Sequence, residues 1–164
     1  MLGMADVNFT DNTIEVLGAM DDRINAVLEE CAGELESQAK RNTPVGKIAG
    51  GGTKNSWSHY VDGAAHVAYI GNPNETAIWL EFGTGEYALE GKGRSGGWWI
   101  PIGEGEGCIS QSVVNAYGFK TRKGKNGMKF AFTRGMKPKR PLHNAYTRLK
   151  NKIINRLKNS MKGL

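Results

Sequence analysis

Apolar residues at Leu17, Met20, Ile24, Val27, Cys31 and Leu35 recur every three or four positions, with Asp21, Asp22, Glu29, Glu30 and Glu36 off that stripe. This spacing predicts an amphipathic helix with an acidic back. Asp11, Asn12 or Thr13 can supply its N-cap oxygen, and Thr43-Pro44 ends it, because the residue before proline avoids the α region. At ~1.5 Å per residue such a helix is about 45 Å long, enough to cross a domain of this size and extend past it. A second stripe, Leu142, Ala145, Leu149, Ile153, Leu157 and Met161, predicts a closing helix entered through Pro138 and Pro141. Its remaining faces carry Arg148, Lys150, Lys152, Arg156, Lys158 and Lys162.

Between the helices the period changes. Trp57, His59 and Val61 alternate with polar neighbours, and after Gly63 an extended run covers Ala65 to Ile70, which predicts an antiparallel pair. Asn72-Pro73-Asn74-Glu75 reads as a helix start with Asn72 as cap, and the helix through Ala77, Ile78, Leu80 and Phe82 stops at Gly83. Trp98-Trp99-Ile100-Pro101-Ile102 reads as a short strand in a glycine-rich stretch. Val113–Lys120 and Met128–Thr133 read as the arms of a long hairpin with a basic tip, turned at Asn126-Gly127. Val7 and Phe9 suggest an N-terminal arm or edge strand over residues 1–10, and residues 45–54 and 85–97 read as flexible loops without regular elements. The expected fold is α+β: the N-terminal and C-terminal helices pack on one face of an antiparallel sheet, with a short middle helix and the basic hairpin.

At 164 residues the chain is a single domain, 1–164, and no stretch approaches the ~20 apolar residues of a membrane span. The first ten residues lack the basic-then-apolar pattern of a signal peptide, so a cytoplasmic origin is expected. Net charge sharpens the picture. Residues 1–40 hold nine acids and two bases, whereas residues 119–164 hold fifteen bases and no acid. That split points to self-association through opposite faces or to a polyanionic partner.

Chemistry is sparse. His59 and His66 fall on neighbouring strands with Asp62 nearby, but no third ligand or known spacing completes a metal site. Cys31 and Cys108 are two free thiols, and neither sits in a nucleophile pattern. The glycine runs at 50–54 and 91–97 lack the phosphate-loop spacing and precede strands rather than helices. No catalytic residue, cofactor or metal is therefore expected. Trp98 and Trp99 project to opposite faces of one strand, so at most one enters a single-layer core and the other calls for a cover, from its own loops, a second subunit or a base.

Four pieces in order resemble the tail-component and head-tail joining (neck) proteins of long-tailed double-stranded DNA bacteriophages. They are the helix exit Ala39-Lys40-Arg41-Asn42-Thr43-Pro44 followed by Ser56-Trp57, the run Ala77-Ile78-Trp79-Leu80-Glu81-Phe82-Gly83-Thr84-Gly85, Gly97-Trp98-Trp99, and the proline-rich entry Gly135 to Ala145. The Glu-Phe-Gly-Thr portion is the most specific. The resemblance implies a structural virion protein: a ring, six- or twelve-fold, at the head-tail junction, as neck, tail-completion or tail-terminator protein assembled in the host cytoplasm. It implies contacts with itself and with neighbouring head-connector and tail proteins. Trp79, Glu81, Phe82, Gly83, Thr84, Trp98 and Trp99 are the candidate subunit contacts. Arg122, Lys123, Lys125, Arg148, Lys152 and Arg156 are the candidate basic contacts to a partner or to DNA in the lumen, without sequence readout. The alternative is a stand-alone module binding nucleic acid without sequence specificity, although no helix-turn-helix, zinc-finger or barrel pattern appears.

Overall fold

In the computed structural model, which describes residues 11–48 and 50–162, helix α1 covers Thr13–Asn42 and helix α5 covers Pro141–Ser160. The expected arm at residues 1–10 lies outside the described residues. Between them come α2 (Gly52–Asn55), β1 (Ser58–Asp62), β2 (Val67–Gly71), α3 (Glu75–Phe82), β3 (Trp98–Pro101), α4 (Gln111–Tyr117), β4 (Thr121–Lys123) and β5 (Lys129–Thr133). The class is α+β, as the periodicities require.

Among the described residues there are two sheets instead of one, both antiparallel. One is the hairpin β1-β2, with Tyr60 opposite Tyr69, and the other has the order β3-β5-β4. Helix α1 lies on β1 and β2, whereas α5 runs along α1 and touches α3. The two long helices are antiparallel: Asn42 donates to the Pro141 carbonyl at one end, and Arg156 meets Glu30 and Glu34 toward the other.

The core gathers where these elements meet. Ala39, Ala77 and Ala145, one from each of three helices, leave room for Trp57, which is 4% exposed, and Leu35, Ile70 and Leu142 pack around them. Small residues let the helices close on one large aromatic. The indole N–H of Trp57 donates to Thr43 Oγ1 at 2.7 Å, and that hydroxyl donates to the Ala39 carbonyl at 2.7 Å. Thr43 thus ends α1, satisfies a last-turn carbonyl and anchors the core tryptophan, so its burial leaves no polar atom stranded.

Several local expectations shift. The cap of α3 is Asn74, whose side chain accepts from the Thr76 N–H; Asn72 instead accepts from Asn74 N–H and donates to the Thr53 carbonyl. Val113–Tyr117 is helical. Its β-branched residues suggested a strand, but Ser110 accepts from the Val113 N–H and Gly118 in the left-handed region closes the turn, so the caps outweigh the propensity. The basic hairpin is correspondingly short, three residues of β4 against β5. The 45–54 stretch, expected to lack regular elements, includes the single turn α2, and its Lys47 is tied to α4 through the Tyr117 hydroxyl and the Ala116 carbonyl.

Candidate functional site

The Glu-Phe-Gly-Thr segment forms a clasp with the approach to α5. Arg140, at φ 53°, precedes α5 and gives it no side-chain cap, and Pro141 occupies the first turn. The orphan N–H groups of Leu142 and His143 donate to the two carboxylate oxygens of Glu81, at 2.9 and 3.0 Å. Glu81 is therefore the N-cap of a helix that begins sixty residues later, and a carboxylate there also complements the helix dipole. An acid inside an apolar stretch demands a specific partner. This is that partner.

Around the cap the contacts run through backbone. Lys139 and Arg140 N–H groups donate to the Leu80 carbonyl, Thr84 N–H to the Met136 carbonyl, and Glu86 N–H to the Arg134 carbonyl, while Thr84 Oγ1 accepts from Met136 N–H at 2.9 Å. Gly83 sits at φ 73°, and a Cβ there would lie 2.6 Å from the Tyr87 carbonyl oxygen and 2.8 Å from Pro138 Cδ. At Gly135, φ 102°, a Cβ would overlap the Thr84 carbonyl. Glycine is needed at both places because two backbones approach with no space between them.

The remaining candidates divide. On α3, Ile78, Trp79 and Phe82 are exposed, and Ile78 and Phe82 line a groove of about 400 Å³ with Ala88 and Leu89. Trp98 and Trp99 are half-buried by their own chain: Gly85 lies against the Trp98 ring with Arg94 over it, and Trp99 packs on Phe132 with Arg122 stacked 4.2 Å from its centroid. Lys152 and Arg156 are engaged inside the chain, with Glu34, and Arg156 also with Glu30 at 3.3 Å. The pairing holds the Glu34 carboxyl below its ordinary range, chiefly through the Lys152 hydrogen bond. Arg122, Lys123, Lys125 and Arg148 have no ion-pair partner among the described residues.

The two strand-region histidines do not converge with Asp62, whose Oδ1 instead accepts from Ala64 and Ala65 N–H groups to form the β1-β2 turn. Both histidines face α1. His59 is held between Glu36, at Nδ1, and Glu29, 3.0 Å from Nε2, while His66 meets Asp21 at 3.3 Å and Asn25 at 3.0 Å. The hydrogen bond to Glu36 is the main cause of the upward shift of the His59 pKa. Among the described residues no group of three or more His, Cys, Asp or Glu side chains is placed to hold a metal ion, and no helix is long and apolar enough to cross a membrane.

The signature is legible in the sequence but the partner of Glu81 is not, since nothing in a one-dimensional pattern pairs positions 81 and 142. The acids of α1 read in the sequence as an outward face, yet five of them, Asp21, Glu29, Glu30, Glu34 and Glu36, meet bases of the same chain.

No curated protein and no solved structure matches the chain. A family model does: residues 9–83 match the family described as "Bacteriophage HK97-gp10, putative tail-component". The matched segment takes in α1, the β1-β2 hairpin and α3 through Gly83. Over residues 9–83, therefore, this chain is similar to the HK97-gp10-like tail components of bacteriophages.

Proposed function

We infer that the protein is a non-enzymatic structural component of a phage virion that associates with copies of itself into a ring at the head-tail junction and joins the tail to the DNA-filled head. The observation that carries this reading is the apolar face of α3, which lies inside the family-matched segment and exposes Ile78, Trp79 and Phe82 side by side. Contiguous exposed apolar surface of this kind is a binding surface. The thin core supports the same conclusion: among the described residues few large apolar side chains are buried, Trp57, Leu80, Val114 and Leu149 among them, while many others are exposed.

A ring needs a heterologous contact, two different patches that meet between neighbours. The α3 face supplies one, with Trp79 and Phe82 as anchors, whereas Glu81, Gly83 and Thr84 act behind it by fixing its position on α5. Six- or twelve-fold closure, neighbouring connector and tail proteins, and a lumen passing DNA belong to this proposal. Class averages of the purified protein and of virion necks by electron microscopy test it: closed rings are expected, and a monomer at every concentration overturns it.

A second reading, a stand-alone nucleic-acid-binding module, is favoured by the bases that stay unpaired on β4-β5 and α5 once Glu30 and Glu34 have taken Arg156 and Lys152. Monomeric protein binding duplex DNA with a steep salt slope would support it over the ring.

A further inference from the structure

Among the described residues, the apolar stripe of α1 extends past the elements it packs against. Toward its N-terminus the last polar contacts with other elements among the described residues are Asn25 with the Gly63 carbonyl and Asp21 with His66. Beyond them Ile14 is 87% exposed and Leu17 54% exposed. Ile14, Leu17 and Gly18 share one side of the helix, three and four residues apart, and nothing lies within 4 Å of where a Gly18 Cβ would be. The result is a helical tip with two large apolar side chains and a small residue that admits close approach.

The groove beside α3 is the complementary shape. Ile78, Phe82, Ala88 and Leu89 line it, and Gly83, Gly85 and Gly93 contribute wall without side chains. Charges match as well. Residues 11–22 contain Asp11, Glu15, Asp21 and Asp22 and no base. Glu15 and Asp22 have no ion-pair partner among the described residues. Lys92 and Glu90 both stand in the groove's lining, and beside it Arg94 lies over Trp98, Lys137 lies over Tyr87 and Arg134 pairs with Glu86, so that four bases face two acids.

These surfaces cannot meet within one chain. Ala39 packs beside Ala77 of α3, so the tip at Thr13 is roughly 40 Å from that end of the helix at ~1.5 Å per residue. We propose that the first two turns of α1 of one copy dock in the α3 groove of the next, with Ile14 and Leu17 as the inserted anchors. Because donor and acceptor surfaces differ and sit at opposite ends of the molecule, the contact repeats head to tail and each copy retains one free surface of each kind until the ring closes. The proposal rests on the self-assembly reading above and names its two halves.

Full-length Leu17→Asp and Ile78→Asp test it, since both positions are exposed and each change leaves one surface intact. Circular dichroism first confirms that each variant keeps the helix content of the parent. By light scattering, each variant alone is expected to need at least tenfold higher concentration to assemble. An equimolar mixture is expected to form a one-to-one dimer and nothing larger, because the intact tip of one variant fits the intact groove of the other. If the parent assembles and either variant assembles equally well, the docking is wrong while self-assembly stands. If both variants fail and the mixture stays monomeric, the two surfaces do not bind each other. A parent that never assembles overturns the self-assembly reading together with this one.

Discussion

Where α1 meets the β1-β2 hairpin and α5 away from the core, the polar contacts are mainly between charged side chains that remain partly solvated: Glu34 with Lys152 and Arg156, and His59 between Glu29 and Glu36. Where residues 80–86 meet 134–143, they are mainly backbone hydrogen bonds and glycine-to-backbone contacts, with Glu81 as a two-pronged cap. The first region is expected to tolerate change, because ion pairs that keep contact with solvent are screened and give up little when broken. The second is not, because two backbones at closest approach have no slack. Glu81, Gly83 and Thr84 of the signature lie in the second, where they tie the end of α3 to the approach of α5.

The sharpest test of this contrast is Gly135→Val. It adds a side chain at positive φ against the Thr84 carbonyl, and a loss of about 3–5 kcal/mol is expected. Urea unfolding with an unchanged slope measures it, and a loss below about 1 kcal/mol would show that the clasp is softer than its geometry. Glu81→Ala comes next. Removing the cap of α5 is expected to cost about 1–2 kcal/mol and to raise amide exchange first at Leu142 and His143.

Smaller effects belong to the charged region, where pH is the probe. His59 has a pKa raised above its ordinary 6.5, so protonation strengthens its contact: that contribution is complete below pH 6.5 and is lost as pH rises through the higher folded value. Glu36 is lowered from 4.5, first by the Lys40 hydrogen bond and then by His59, so its contribution is present above pH 4.5 and lost as pH falls through the lower folded value. Amide exchange in β1 and β2 is therefore expected to be slowest between about pH 4.5 and 6.5 after correction for intrinsic rates, and His59→Gln should abolish the change on the alkaline side. The smallest effect is expected for Glu34→Gln, less than about 1 kcal/mol and shrinking further in high salt. A large, salt-insensitive loss would place this pair in the same class as the clasp.

Helix α1, its stop at Thr43-Pro44, the β1-β2 hairpin, the Gly83 stop of α3 and the face of α5 were legible in the sequence, because periodicity, caps and glycine act within a few residues. Helix α4 was missed where two local signals disagreed, the β-branched Val113-Val114 against the caps at Ser110 and Gly118. The tertiary structure alone decided which partner each charge takes. An acidic first helix and a basic last helix are equally compatible with pairing inside one chain or between two. The chain reversal that sets α5 antiparallel on α1 brings Glu34 to Lys152 across 118 residues, and among the described residues it leaves the apolar tip of α1 and the α3 groove uncovered while only some helix charges, such as Glu15, Asp22 and Arg148, stay unpaired. Composition records how much charge each segment carries, while the distances between segments, on which every Coulomb and packing energy depends, exist only once the chain has folded.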